Sequence, residues 1–315
     1  MKKNVFALAL AMALSAGSAL AADLPSRKGP VFVPPPPPPM WTGFYAGLNA
    51  GYSFGGDQSI NTVAGPVWTC VRGQGHNGDC GSGPGPLQNA EAAGANSFLS
   101  INSDGFIGGG QFGYNYQWGS SFLVGIETDI QGTGIHGEAA TATTLPILSG
   151  SCTGTRCLTT TTTGVTKSLD FLGTLRARVG YLFTPTLLVY GTGGFAYGGG
   201  QLKAAITSID NGCWWCSNPG IAAGQFNNIL TGWTAGAGVE WMLMPNLSLK
   251  AEYLYYDLGS VKLNGLQLVT EAYAEQAPLF ANGVQTNARF NGHIVRAGMN
   301  YHVNWWAPAP VLAKY

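Results

Sequence analysis

Charge is what this chain has least of. Only 10% of its 315 residues are Asp, Glu, Lys or Arg, against about a quarter in an ordinary soluble domain, so a water-exposed globule is disfavoured. The 15 basic and 15 acidic residues balance, leaving no basic field to hold nucleic acid or an anionic membrane surface. A mean hydropathy of +0.10 excludes a bundle of transmembrane helices, each of which needs about 20 mostly apolar residues in a row. There are four histidines, His76, His136, His293 and His302. None has a Ser or Cys and an acid nearby in a nucleophile setting, so the chain reads as no enzyme, with no metal and no cofactor. The glycine runs at 108–110 and 198–200 lack the helix that a phosphate cradle needs, and read as close packing or bulges.

What is present begins with a leader. Lys2 and Lys3, the apolar stretch from Val5 to Leu14 and the small residues Ala19-Leu20-Ala21 have the layout of a signal peptide over 1–21, cleaved after Ala21. Residues 22–40 form a proline-rich periplasmic segment in which Pro34 to Pro39 are consecutive. Such a run is stiff and extended, at roughly 3 Å per residue, and suits a spacer or a contact with peptidoglycan or envelope proteins.

From residue 41 the apolar residues recur with a period of two, as a pleated strand requires. Phe44, Ala46, Leu48, Ala50, Tyr52 and Phe54 share one face, while Tyr45, Gly47, Asn49, Gly51 and Ser53 take the other. The same alternation returns from Phe106 to Trp118, Phe122 to Ile130, Leu169 to Phe183, Leu187 to Tyr197, Trp233 to Leu243, Leu247 to Tyr255 and Val295 to Val303. That predicts eight strands, each long enough to cross a bilayer when tilted, which takes about 9 to 11 residues.

The gaps between them alternate. Long connections at 55–102, 136–166, 199–228 and 258–288 are interleaved with the short ones Gly119-Ser120, Thr184-Pro185-Thr186 and Met244-Pro245-Asn246. Long loops at one end and tight turns at the other are the layout of an outer-membrane barrel, with turns toward the periplasm and loops outside. Backbone groups in hydrocarbon must all be paired internally, so the strands must close into a cylinder. The expected fold is therefore all-β: an eight-stranded antiparallel transmembrane β-barrel over 41–305 with outer-membrane lipid around it and a C-terminal periplasmic tail at 306–315. Aromatics including Tyr116, Trp118, Phe122, Phe183, Trp241, Tyr301 and Trp305 would form a girdle at the periplasmic rim.

The ionisable residues within the strands fix which face meets lipid. Glu127, Asp129, Asp170, Arg176, Arg178, Glu240, Lys250, Glu252 and Arg296 all fall on the phase opposite the aromatic and aliphatic set, and a charge facing lipid at mid-depth costs several kcal/mol. They are expected to point into the lumen, with Glu240 opposite Lys250 across the hairpin and Arg176 and Arg178 level with Glu127 and Asp129. An eight-stranded lumen is just wide enough for side chains to fill, so these groups read as a plug of ion pairs, the alternative being an ion or proton path.

The six cysteines fall two per long loop: Cys70 with Cys80, Cys152 with Cys157, and Cys213 with Cys216. In an exported chain these read as three local disulfides that stiffen exposed loops. The Cys213-Trp214-Trp215-Cys216 spacing lacks the flanking βαβ pattern of a redox motif.

Several segments also carry a family resemblance: WTGFYAGLNAGYSFGG (41–56), FIGGGQFGYNYQWGSSFLVGIETDIQ (106–131), LDFLGTLRARVGY (169–181), LLVYGTGGFAYG (187–198), GWTAGAGVEWM (232–242), NLSLKAEYLYYDLG (246–259) and VRAGMNYHV (295–303). Together with the ADLP after the leader, they resemble the outer-membrane immunogenic protein group of alpha-proteobacteria, a porin-type family related to the OmpA-like barrels. The resemblance implies an abundant surface barrel, of a kind described as porins, envelope-stabilising proteins, antigens or haemin binders, and offers no catalytic motif. The long cysteine-bearing loops and the residues after the last strand, Ala307 to Tyr315, depart from the family pattern. The reading that emerges is a structural and surface-interaction barrel; a narrow passive porin and a loop-borne receptor for haem, sugar or a host surface are the alternatives.

Overall fold

The computed structural model describes residues 41–56, 59–67, 86–148, 157–211, 219–270 and 280–303. The leader, the proline segment, the C-terminal tail and Trp305 lie outside the described residues. Ten strands and one helix follow in the order β1 (Gly43–Phe54), β2 (Ser59–Val67), α1 (Pro86–Ala95), β3 (Ser97–Ser100), β4 (Gly105–Trp118), β5 (Phe122–Pro146), β6 (Leu158–Thr184), β7 (Leu187–Asn211), β8 (Gly220–Met244), β9 (Leu247–Thr270) and β10 (Phe280–Val303).

Eight of the strands close a cylinder. The antiparallel order runs β1-β4-β5-β6-β7-β8-β9-β10, and β10 pairs back onto β1 from His293↔Phe54 to Val303↔Phe44. The same edge of β10 continues upward and takes β2, from Ala288↔Ile60 to Ala281↔Val67, with the four-residue β3 paired outside it. The tight turns 119–121, 185–186 and 245–246 gather at one end, beside the start of β1 and the end of β10.

The alternation expected from sequence sets the faces. Leu48 is 74% exposed and Trp118 73%, on the outward phase, whereas Asn49 and Tyr45 on the inward phase are buried. Phe44, Tyr116, Phe122, Phe183, Trp241 and Tyr301 are also outward and exposed near the short-turn end, an aromatic collar at the level of the lipid headgroups.

The long connections are not mainly loops. Strands β5 to β10 are 24 to 27 residues long, and most of 136–166, 199–228 and 258–288 is strand. At about 3.3 Å per residue, some 25 residues reach far past the 9–11 that cross a bilayer, so the barrel wall continues as a β-stalk beyond the membrane. The outward face of this stalk carries Thr160, Thr162, Thr166, Lys203, Gln225 and Asn227 in place of aromatics, because it meets water instead of acyl chains. Two irregularities in β9 shift its phase against β10, near Asp257–Ser260 and Leu263–Leu266. Each contains a glycine in the left-handed region, Gly259 (φ 83°) and Gly265 (φ 77°), as a glycine bulge requires.

The inward side chains stack in layers. At the short-turn end Trp41, Leu123, Leu182, Leu188 and Met242 form a small apolar base, and the Trp41 indole donates to the Pro185 carbonyl at 2.9 Å. A polar, charged layer lies above it. Then comes the largest apolar cluster, which includes Ile107, Ile135, Leu169, Leu172, Leu202, Leu254, Leu258, Phe290 and Ile294. Above that, helix α1 is inserted within the ring of strand extensions, with seven of its ten residues buried.

Candidate functional site

The charged layer is built by simple alternation. On β5 the inward positions are 123, 127, 129 and 131; on β6 174, 176 and 178; on β8 240; on β9 248, 250 and 252; and on β10 296 and 300. Glu127 is the hub. Its carboxylate takes the Arg176 guanidinium, accepts from Lys250 Nζ at 2.9 and 3.0 Å and from Arg178 at 3.3 Å, and accepts the Tyr45 hydroxyl at 2.7 Å. Asp129 accepts from Arg176 at 2.8 Å, Arg296 at 2.9 Å and the Thr174 hydroxyl at 2.9 Å. Glu252 accepts from Arg176 at 3.0 Å, Arg296 Nε at 2.7 Å and the Tyr190 hydroxyl at 3.0 Å. Glu240 accepts from Arg178 at 2.7 Å, Ser248 at 2.6 Å and Asn300 at 2.7 Å.

Four carboxylates and four cations thus meet with no side-chain exposure. Each acid has at least three donors, while on the cation side Arg178 Nε and Arg296 Nη1 meet no acceptor among the described residues; a buried ion pair balances its desolvation only as far as its remaining lone pairs and protons are satisfied. The Arg178 guanidinium lies 3.9 Å from the Tyr190 ring centroid, a cation–π contact in a dry site. Tyr45 reaches this layer because Gly113, the facing inward residue of β4, leaves room: a Cβ there would collide with the tyrosine ring.

Sequence reasoning expected nine charges in the lumen, and the structure brings eight of them together. Asp170 is the exception. It is exposed and accepts from Gln201 Nε2 at 2.6 Å. The cause is a bulge in β6: the register against β7 slips between Leu169 and Leu172, so inward positions change from odd numbers above the slip to even numbers below it. The expected partnership of Glu240 with Lys250 is also corrected. The two are register partners, yet Lys250 turns to Glu127 and Glu240 to Arg178, because in so narrow a lumen a group on another strand is as near as the hairpin neighbour. Tyr45, Tyr190, Ser248, Thr174 and Asn300 are network members that sequence reasoning did not single out; their only signal was a place on the polar phase.

His302 is buried and lies 2.8 Å from the Ser248 hydroxyl. His136, expected in an outer loop, sits in β5 with a bridge to Asp104. Asp257 is mostly buried at the β9 bulge and pairs with Arg289. Of the cysteines only Cys157 lies among the described residues, buried against Leu87, Ala90 and Ile147; Cys70, Cys80, Cys152, Cys213, Cys216 and His76 lie outside them.

The profile of the family described as "Outer membrane protein beta-barrel domain" matches residues 6–273. This chain belongs to that family. The family member is 32% identical over 295 residues to the 31 kDa outer-membrane immunogenic protein of Brucella melitensis biotype 1, covering 93% of this chain and 97% of the relative. It is 30% identical over 154 residues to a 22 kDa outer membrane protein of Rhizobium leguminosarum bv. viciae, covering 48% and 53% of the two chains. Among solved structures, OprG from Pseudomonas aeruginosa aligns with 10% identity and a TM-score of 0.34 over 83% of this chain and 97% of that one. Ail, the attachment invasion locus protein of Yersinia pestis, aligns with 12% identity and a TM-score of 0.27 over 82% and 99%. The family member is an outer-membrane barrel of a Gram-negative envelope.

Proposed function

We propose that this protein is a closed structural barrel that carries a rigid β-stalk out of the outer membrane and acts through contacts of that stalk, with no catalytic role. The single observation that supports the closed reading is the absence of solvent exposure at every side chain of the eight-charge layer. A conducting lumen keeps its charged wall wet. The large apolar cluster stacked above that layer is a second seal in series, since ions entering it would be stripped of water without replacement partners. The length of β5 to β10 beyond the bilayer supports the surface-contact part of the reading.

On the same reading, 1–21 exports the chain, the stiff 22–40 segment and the 306–315 tail lie in the periplasm, and lipid surrounds 41–305. Local disulfides pair Cys70 with Cys80, Cys152 with Cys157 and Cys213 with Cys216 at the stalk's connections. Reconstitution in planar bilayers tests the proposal. Current indistinguishable from that of lipid alone is the expected outcome, and discrete single-channel steps from correctly folded protein would overturn it in favour of a narrow porin.

A further inference from the structure

The least expected buried group is a carboxylate outside the membrane-spanning part. Helix α1 sits inside the stalk with Glu91 fully buried. It is level with Thr270, which stands 23 positions along β9 from Leu247, roughly 60 Å up at about 3.3 Å per residue and a tilt near 40°. The Glu91 carboxyl accepts from the Thr270 hydroxyl at 2.9 and 3.1 Å and from Asn282 Nδ2 at 3.3 Å. Among the described residues no Lys, Arg or His comes within ion-pair distance of it. The layer around it is made of hydroxyls: Thr159, Thr161, Thr163 and Ser208 are all buried, and Ser208 Oγ lies 2.9 Å from Thr159 Oγ1.

The rest of the helix is held mainly through small side chains. Its buried face carries one large apolar side chain, Leu87, packed with Ile147 and Cys157, and otherwise the small residues Ala90, Ala92, Gly94 and Ala95, and Gln88 Nε2 donates to the Ala281 carbonyl at 2.9 Å. Of the charged groups on the surrounding elements, Asp210 on β7 repels a Glu91 anion. β2 has none. Glu138 on β5 and Lys203 on β7 face outward. Lys167 on β6 donates to the Arg289 carbonyl of β10, and Arg289 itself pairs with Asp257. On β9, Lys262 is exposed.

We propose that α1 is a pH-sensitive stopper of the stalk, seated while the Glu91 carboxyl is protonated and released when it ionises. Burial, and secondarily Asp210, push the Glu91 carboxyl up to about 7. The sign follows: a seated group that holds its proton longer than the released one contributes most below the released value, near 4.3 for an ordinary Glu, and this contribution is lost as pH rises toward 7. Release opens the hydroxyl-lined chamber at the top of the stalk and leaves the charged and apolar layers beneath it closed.

Hydrogen exchange of the 86–95 amides in full-length protein folded in lipid tests the proposal. After correction for intrinsic exchange, protection is expected to fall by roughly two orders of magnitude between pH 5 and pH 8, while β6 amides below Lys167 keep theirs. Glu91→Gln keeps the shape and a hydrogen-bonding amide but cannot ionise, and should make protection of α1 independent of pH. Asp210→Asn removes a charge that raises the Glu91 carboxyl and should move the wild-type midpoint to lower pH.

 Glu91 without that neighbour ionises more easily, which is why the midpoint falls. Either of two results overturns the proposal: wild-type protection of 86–95 that is constant from pH 5 to pH 8, or the same pH dependence in folded Glu91→Gln. If Glu91→Gln does not fold, an unmoved midpoint in Asp210→Asn serves as the overturning result.

Discussion

Replacing Arg176 by methionine probes the charged layer most directly. Arg176 touches three acids at once, Glu127, Asp129 and Glu252, and methionine fills much of its volume without its charge. None of the three acids is left bare: Glu127 keeps Lys250 and Arg178, Asp129 keeps Arg296 and Thr174, and Glu252 keeps Arg296 and Tyr190. The layer nevertheless goes from four acids and four cations to an excess of one buried negative charge. Removing one partner of a buried pair costs about 3–5 kcal/mol; the remaining donors place the expected loss near the lower end, at about 3 kcal/mol. Urea unfolding in lipid vesicles measures it. The double variant Arg176→Met with Glu127→Gln restores neutrality and should recover about 1–3 kcal/mol relative to additivity. Asp170→Asn is the internal control and should change stability by less than about 0.5 kcal/mol, because Asp170 is exposed. Stability of Arg176→Met within about 0.5 kcal/mol of wild type, or strict additivity of the double variant, would refute the account of the layer as a coupled unit.

Two further outcomes follow from the same geometry. Tyr45→Phe removes a hydroxyl that donates to Glu127 and accepts from Arg178, both at 2.7 Å; it should cost about 1.5–3 kcal/mol in the same urea assay, the range for hydrogen bonds to charged groups. Leu48→Arg places a charge on the lipid face and should cost about 2–4 kcal/mol near mid-depth, read as slower and less complete folding into vesicles, with a null effect counting against the assignment of that face.

The membrane-spanning half was legible because its constraint is harsh. From Phe44 to Phe54 and from Val295 to Val303 every second side chain meets oil, and an error of one residue would expose charge to lipid. The stalk was hidden for the converse reason: where both Thr162 and Thr163 are tolerated, one facing water and the other a polar interior, the alternation leaves no hydropathy trace. The Asp170 error has a local cause, since a single extra residue in β6 reverses the phase and nothing in Leu169-Asp170-Phe171 announces it. Phase also says which face a side chain takes but not how far round the cylinder its partner stands, so the ring of charges was readable while the pairing of Lys250 with Glu127 was not. Glu91 lay in a stretch without strand alternation and carried no signal until the helix was seen seated among the strands.

The seam between β1 and β10 joins the two ends of the described chain, and this orders the barrel's assembly. Arg296, which serves both Asp129 and Glu252, arrives on the last strand to be synthesised. Until it docks, those two acids lack one of their cations, so an unfinished sheet is held open by its own electrostatics as well as by the entropy of so distant a closure. The final hairpin is thus both the latch and the neutralising charge, and a chain cut short before it would stall as an open, electrically unbalanced ribbon.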